Sequence, residues 1–272
     1  MVASRSESVR LSPHWQWKQW QGLPYLTCTL LDRWPHGFFT QQFYPRSPQE
    51  LTNILHPSAK AYRLQQVHGN RVLTPPEIEA EQASLEDEAL PQGDGAIANQ
   101  PQQGVWVASA DCTPILIGDI LTGRVAALHA GWRGTAQKII SQAVSRLLTM
   151  GSVLDNLRFA LGPAITGEMY QVSEQVAAEV AVTLVQSEYA GTAEAVIASL
   201  EALPESPLFP DQKPGRVRLD VRKVNELQIK QLGVEEGCIA VAPCCTYQEN
   251  EYFFSYRRSK AKKVQWSGII NH

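Results

Sequence analysis

Cys112 and His129 are the two residues whose type and setting can do chemistry together. Cys112 stands in Ala110-Asp111-Cys112-Thr113, between the apolar runs 104–109 and 114–117, and His129 closes the apolar run 125–128. A thiolate and an imidazole within reach of each other can share a metal ion or a proton. The chain has six histidines: His14, His36, His56, His68, His129 and His272. Only His68 shares His129's setting, a strand-to-turn junction in the polar cluster Gln65-Gln66-Val67-His68-Gly69-Asn70. His14 and His272 lie near the termini, and His36 and His56 stand beside prolines in expected loops. Arg133, in Gly131-Trp132-Arg133-Gly134, falls between a strand's carboxyl end and a helix's amino end, where free N–H groups and a forked cation suit phosphate or carboxylate. The plainer account, a hydrogen-bonded histidine and an arginine in a surface turn, stays open at this point. Asp111 is a candidate proton carrier, or else a carboxylate capping its own turn.

The elements that must position these groups follow from periodicity. Runs 114–117 and 124–128 are joined by the short, glycine-ended stretch 118–123, which predicts an antiparallel hairpin. Pairing Ile117 with Arg124 places Cys112 opposite His129, at the roughly 4.5–5.5 Å Cβ spacing of directly opposed residues. Beyond the HAGWRG turn, Ala136, Ile139, Ile140, Ala143, Val144, Leu147 and Leu148 repeat at helical spacing up to Gly151, predicting one long helix. Early strands are expected around Trp15, Trp17 and Trp20, and a short helix over 49–55. Strands are expected at 64–67, 71–73, 157–161, 238–242 and 252–256. Asp94-Gly95 reads as a turn, and 74–92 and 203–215 as loops. Ser173, Thr192 and Asp220 are expected helix caps, the last helix stopping at Gly233; Gly191 should interrupt the pattern before Thr192.

Length, composition and charge bound the rest. A chain of 272 residues, 44% hydrophobic and 19% charged, suits a globular protein. A formal net charge of −3 gives no support for nucleic-acid or anionic-membrane partners. No apolar run spans a bilayer, the amino terminus lacks a signal-peptide core, and five cysteines, an odd number, fit reduced thiols in the cytoplasm. Residues 1–12 are expected to be a flexible arm and 13–272 a single α+β domain of mixed and antiparallel sheets flanked by helices. No motif specifies an oligomeric state.

The blocks QQVHGNRV, GDGAIA, SADCTPILI, HAGWRGT, LGPAI with YQVSEQV, and CTYQENEYFFSYRR occur in this order over roughly residues 60–260. Together they resemble the YfiH/YlmD/FAMIN family of laccase-domain, polyphenol-oxidase-like proteins. The resemblance implies a YfiH-like fold, one zinc held by His68, Cys112 and His129, and phosphorolysis of purine nucleosides (adenosine, inosine, guanosine, methylthioadenosine) with adenosine deamination. For that chemistry Asp111, Cys112 and His129 are the expected catalytic group, and Gln66, Arg133, Ser255 and Arg257 are the residues expected at nucleoside and phosphate. Phe253, Phe254 and Tyr256 would suit a base-stacking wall. The chain departs from the family pattern at Gln41-Gln42-Phe43, where an Arg and a Gly pair is common, and at 259–263, SKAKK, where a Gly-Arg pair is usual; both regions are expected to border the substrate.

Two imidazoles and a thiolate leave a fourth tetrahedral position open, as in a catalytic zinc site able to lower the pKa of water to about 7. Three other readings compete. A cysteine hydrolase would use Cys112 as nucleophile and His129 as base, with no need of His68. A copper-dependent polyphenol oxidase, which the family's older name implies, needs more histidines than six for its cluster; whether copper can replace zinc in vitro stays open at this point. A non-catalytic metal module has no use for an open position. The remaining cysteines, Cys28, Cys238 and the pair Cys244-Cys245, read as packing residues.

Overall fold

In the computed structural model, which describes residues 13–86, 89–185 and 192–272, two six-stranded sheets pack face to face. The first runs Trp15–Trp20, Leu23–Cys28, His36–Phe39, Gln265–Asn271, Gln103–Ser109 and Lys60–Tyr62. The second runs Ile239–Val241, Leu157–Leu161, Thr113–Asp119, Val125–Ala130, Gly95–Ala98 and Val72–Leu73. A three-stranded sheet, Gln171–Ser173, Arg216–Leu219 and Leu208–Pro210, lies beside the helices Glu174–Ala181 and Ala193–Glu201 with a core of its own. The architecture is α+β, as expected. The expected arm, residues 1–12, and Gly191 lie outside the described residues.

The second sheet is buried on both faces, which is why its strands read as unbroken apolar runs. Leu116, Val125 and Ala127 point into the inter-sheet core with Phe38, Val105 and Val107. Their neighbours Ile115, Ile117, Ala126 and Leu128 point to the opposite face. The helix Ile139–Thr149 covers that face with Ile139, Ile140, Ala143, Val144 and Leu147, and Ile229 of the helix Val221–Gln231 joins them. Each of the valine, leucine and isoleucine side chains contributes about 1.5–3 kcal/mol by leaving water. Among the described residues no helix is long and apolar enough to cross a membrane, and all five cysteines are free thiols.

Several expectations need correction. The hairpin forms, but Pro114 pairs with His129 and Gly118 with Val125, two residues away from the expected register. Asp119 accepts hydrogen bonds from the Leu121 and Thr122 amides, and Gly123 turns at φ +79°, so the connection is tighter than its length suggested. The long helix is broken. Trp132–Ala136 forms a separate five-residue helix, and Lys138 at φ +57° turns the chain into Ile139–Thr149. Within the expected loop 74–92, Pro75–Gln82 is a helix, started by proline and a Thr74/Glu77 capping box. The expected loop 203–215 contains the strand Leu208–Pro210. Residues 252–256 form no strand; the chain there leads into the short helix Tyr256–Ser259, and the carboxyl-terminal strand is Gln265–Asn271. Residues 64–67 hold only a bridge at Gln65. Asp94-Gly95 is no turn: Asp94 is buried and Gly95 opens a strand.

His36, expected in a loop, begins a central strand and is buried. Its Nε2 accepts from the Cys28 amide at 2.8 Å, and its Nδ1 lies 2.8 Å from the Trp34 carbonyl. Burial pushes its pKa from 6.5 down to about 4. Below pH 6.5 the unfolded chain takes up a proton that the folded chain refuses until about pH 4. Stability should therefore fall across that window, by on the order of 3 kcal/mol. Urea unfolding of metal-free protein between pH 7 and 4 checks this. His36→Asn should flatten the slope there, and an unchanged slope would show that other groups cause it.

Candidate metal centre and cavity

The two-residue shift of the hairpin leaves the centre intact, because an even slip returns side chains to the same face of the sheet. Cys112, just before the strand Thr113–Asp119, becomes a diagonal neighbour of His129 rather than its direct partner. His68 arrives from the loop after the strand Lys60–Tyr62, with φ +59°. The three residues each present a donor atom, and all three donors lie within 4.8 Å of one another. The His68 and His129 rings are 4.8 Å apart at 78°. Gly131 keeps the space open: a Cβ there would stand 2.8 Å from the Cys112 sulfur.

Asp94 holds the centre in shape, and the sequence reading missed it. Its fully buried carboxylate accepts from the Val67, His68 and Gly69 amides at 3.1, 3.0 and 2.7 Å and from His129 Nδ1 at 2.8 Å. One side chain thus folds the His68 loop and fixes the His129 tautomer, leaving Nε2 as that ring's ligating nitrogen. The GDGAIA block contains this aspartate, but an Asp-Gly pair looks like a turn when read locally.

The electrostatics suit a soft cation. Burial alone would raise the Cys112 thiol, but His129 and then His68 outweigh it and hold it down at about 6. His129 is pushed the other way, to about 9: burial disfavours its charge, while the Cys112 thiolate and Asp94 favour it more strongly. Asp94 stays below its usual range, because hydrogen bonds from His129 and the loop amides outweigh its burial. Without metal, Asp94, His129 and Cys112 therefore form a carboxylate–imidazolium–thiolate row. A cation replacing the proton on His129 meets a thiolate and two imidazoles, a donor set fitting zinc.

A cavity of about 730 Å³ opens over the centre, and Gln66, His68, Asp111, Cys112, His129, Arg133 and Arg257 line it. Ser255 does not. It is 1% exposed, and its hydroxyl caps the helix Tyr256–Ser259 by accepting from the Arg258 amide. Gln66 is spoken for by the backbone of Ala108, whose amide and carbonyl it bonds at 2.7 and 2.8 Å. Asp111, at φ +95°, accepts from the Thr246 hydroxyl and the Arg257 amide, both at 2.7 Å. It does not cap its own turn; it fastens the Arg257 backbone at the cavity wall. Arg257 crosses the Tyr170 ring at 4.6 Å and donates to the Gln171 carbonyl. Arg133 is exposed over Trp132 at 4.3 Å and belongs to the five-residue helix, not to the start of the long one. Of the expected stacking wall only Tyr256 lines the cavity; Phe253 is buried in the core and Phe254 packs edge-on against Tyr44. The other cysteines behave as packing residues: Cys28, Cys244 and Cys245 are buried, and Cys238 packs at the helix-covered core.

Residues 46–270 match the protein family described as multi-copper polyphenol oxidoreductase laccase. The chain is 50% identical over 258 residues to a protein named purine nucleoside phosphorylase slr1573 from Synechocystis, covering 95% of this chain and 97% of that one. A purine nucleoside phosphorylase from Deinococcus radiodurans is 30% identical over 208 residues, 76% of this chain and 68% of the relative. The crystal structure of YlmD from Geobacillus stearothermophilus superposes with a TM-score of 0.74 at 24% identity, over 94% of this chain and 98% of that one. YfiH from Bacillus licheniformis does so with a TM-score of 0.73 at 23% identity, over 91% and 96%.

Proposed function

The chain belongs to the family described as multi-copper polyphenol oxidoreductase laccase, and we propose that it acts as a zinc-dependent purine nucleoside phosphorylase that also deaminates adenosine. The observation that carries this reading is the His68–Cys112–His129 donor set at the floor of a cavity walled by arginines that, among the described residues, form no ion pair with a carboxylate. The name shared by the relatives in Synechocystis and Deinococcus agrees with it. Residues 13–272 are taken as one catalytic unit.

In phosphorolysis a phosphate oxygen attacks C1′ of the ribose, the bond from C1′ to the purine nitrogen breaks, and the base leaves with a proton. Arg133 and Arg257 are assigned to the phosphate, Arg257 positioned by Asp111 at its amide and by Gln171 at its guanidinium. Tyr170 lines the same wall, and burial pushes its hydroxyl up to about 12, so it remains a neutral donor at physiological pH. Trp132 and Tyr256 offer flat surfaces for the base. When bound, zinc supplies Lewis-acid polarisation and a lowered water pKa, the chemistry that replacing the adenine amino group requires.

The ligand census weighs against the oxidase named in the family description. Among the described residues one group of three or more candidate ligands forms, and His36 is committed to the core. A trinuclear copper cluster needs several more imidazoles. The Asp94–His129–Cys112 row favours one second reading, a thiol hydrolase, in which His68 has no task.

Incubation with adenosine or inosine and phosphate, followed by product analysis, tests the proposal: free base and ribose 1-phosphate should appear together. Arg133→Ala should raise the phosphate KM roughly 10- to 100-fold, as expected for a lost charge-assisted contact, while deamination suffers less. Equal losses in both reactions would assign Arg133 to the base or the fold.

A further inference from the structure

The cations of the cavity outnumber what a phosphate co-substrate requires. Arg63, Arg133, Arg257, Lys260, Lys262 and Lys263 all line it, and among the described residues Asp111, with both oxygens already engaged, is its only carboxylate. Among the described residues the ion-paired lysines and arginines lie elsewhere: Lys60, Arg71, Arg146, Arg218, Lys223 and Lys230. The chain carries a net charge of −3, yet among the described residues none of these six forms an ion pair with a carboxylate. Unpaired like charges around one concavity repel each other and focus a positive potential into it, which an anionic ligand relieves.

The six divide into two sets. Arg133 and Arg257 stand by Tyr170 near the metal centre. Three of the outer four, Arg63, Lys260 and Lys263, rest on aromatic rings: Arg63 is 5.8 Å from the Trp266 ring, Lys260 5.3 Å from Tyr256, and Lys263 5.4 Å from Tyr44. Arg63, Val264 and Trp266 also line a second cavity of about 300 Å³, which contains Arg46. The positive lining thus runs on from the first cavity into the second. Its lysines come from one short segment, residues 259–263, SKAKK.

We propose that the outer cations Arg63, Lys260, Lys262 and Lys263 make this cavity a site for purine nucleosides that already carry phosphate, the nucleoside 5′-phosphates, with the phosphate tail on the outer set and the base over the metal centre. This rests on the phosphorylase reading. Adenosine, AMP, ADP and inorganic pyrophosphate would be titrated against zinc-loaded protein, in the wild type and in Lys260→Ala/Lys262→Ala/Lys263→Ala. In low salt ADP should bind at least about tenfold more tightly than adenosine, and added salt should erode the advantage. In the triple variant the ADP-to-adenosine ratio should fall to within about twofold, given that screened, solvated contacts are weak individually. Equal affinities for ADP and adenosine, an undiminished ratio in the variant, or pyrophosphate binding as tightly as ADP would each overturn the proposal. If adenosine is phosphorolysed but the nucleotide advantage is missing, only this inference falls. If adenosine is neither bound nor phosphorolysed, the phosphorylase reading falls with it.

Discussion

Cys112→Ala should leave the folded protein with little metal and almost no phosphorolysis. Among the described residues Cys112 is one of three donors at the centre and the anionic one. Removing it should cost on the order of a thousandfold or more in metal affinity, beyond the roughly 10- to 100-fold of an outer partner. Elemental analysis after gel filtration checks the outcome, and a retained full equivalent of zinc would sink the assignment. Alkylation separates the metal reading from the thiol-hydrolase reading. With metal bound, the Cys112 sulfur is tied up and should react slowly with iodoacetamide. In metal-free protein the reaction should follow the thiolate, with a midpoint near pH 6 rather than the ordinary 9. Chelator-treated enzyme should be inactive and regain turnover when zinc is restored. Full nucleoside turnover by that sample would mean Cys112 works as a nucleophile and the zinc reading is wrong.

Why the centre was legible from the sequence, although its geometry was misread, follows from the hairpin. The expected register was wrong by two residues, yet it still brought Cys112 and His129 together, because the strand period is two and an even error keeps the face. An error of one residue would have put the thiol and the imidazole on opposite sides of the sheet. The amphipathic helices Ile139–Thr149 and Val221–Gln231 were legible for the same kind of reason, a fixed period and a cap. The strand Gln265–Asn271 was not. It carries a glycine that lies under Trp106, where a Cβ would stand 2.3 Å away, and a glutamine that bonds the Phe254 backbone. Its place between two strands comes from tertiary packing, which leaves no alternation to read. Lys138 was hidden likewise: at the break before Ile139 the Gln137 carbonyl accepts from the Asn70 side chain, and Gly134 lies against the Gly69 backbone, contacts more than 60 residues distant in sequence.

Asp94 is the most consequential residue that local reading could not find, and Asp94→Asn should expose its role. An amide of the same shape keeps one acceptor where the carboxylate offered two, so its nitrogen would face N–H donors from the His68 loop or from His129. His129 loses the partner that holds its Nδ1–H, and the loop carrying His68 loses its anchor. Metal affinity should fall roughly 10- to 100-fold, the usual effect of losing an outer carboxylate partner. Competition with a chromophoric chelator measures this. Excess zinc should restore much of the metal content and part of kcat, which a merely unfolded variant would not show. The His129 pKa in metal-free protein, followed by NMR, should drop from about 9, since one of the two charges that raise it has gone. Unchanged zinc affinity together with an unchanged His129 titration would reduce Asp94 to a loop anchor with no part in positioning the ligands.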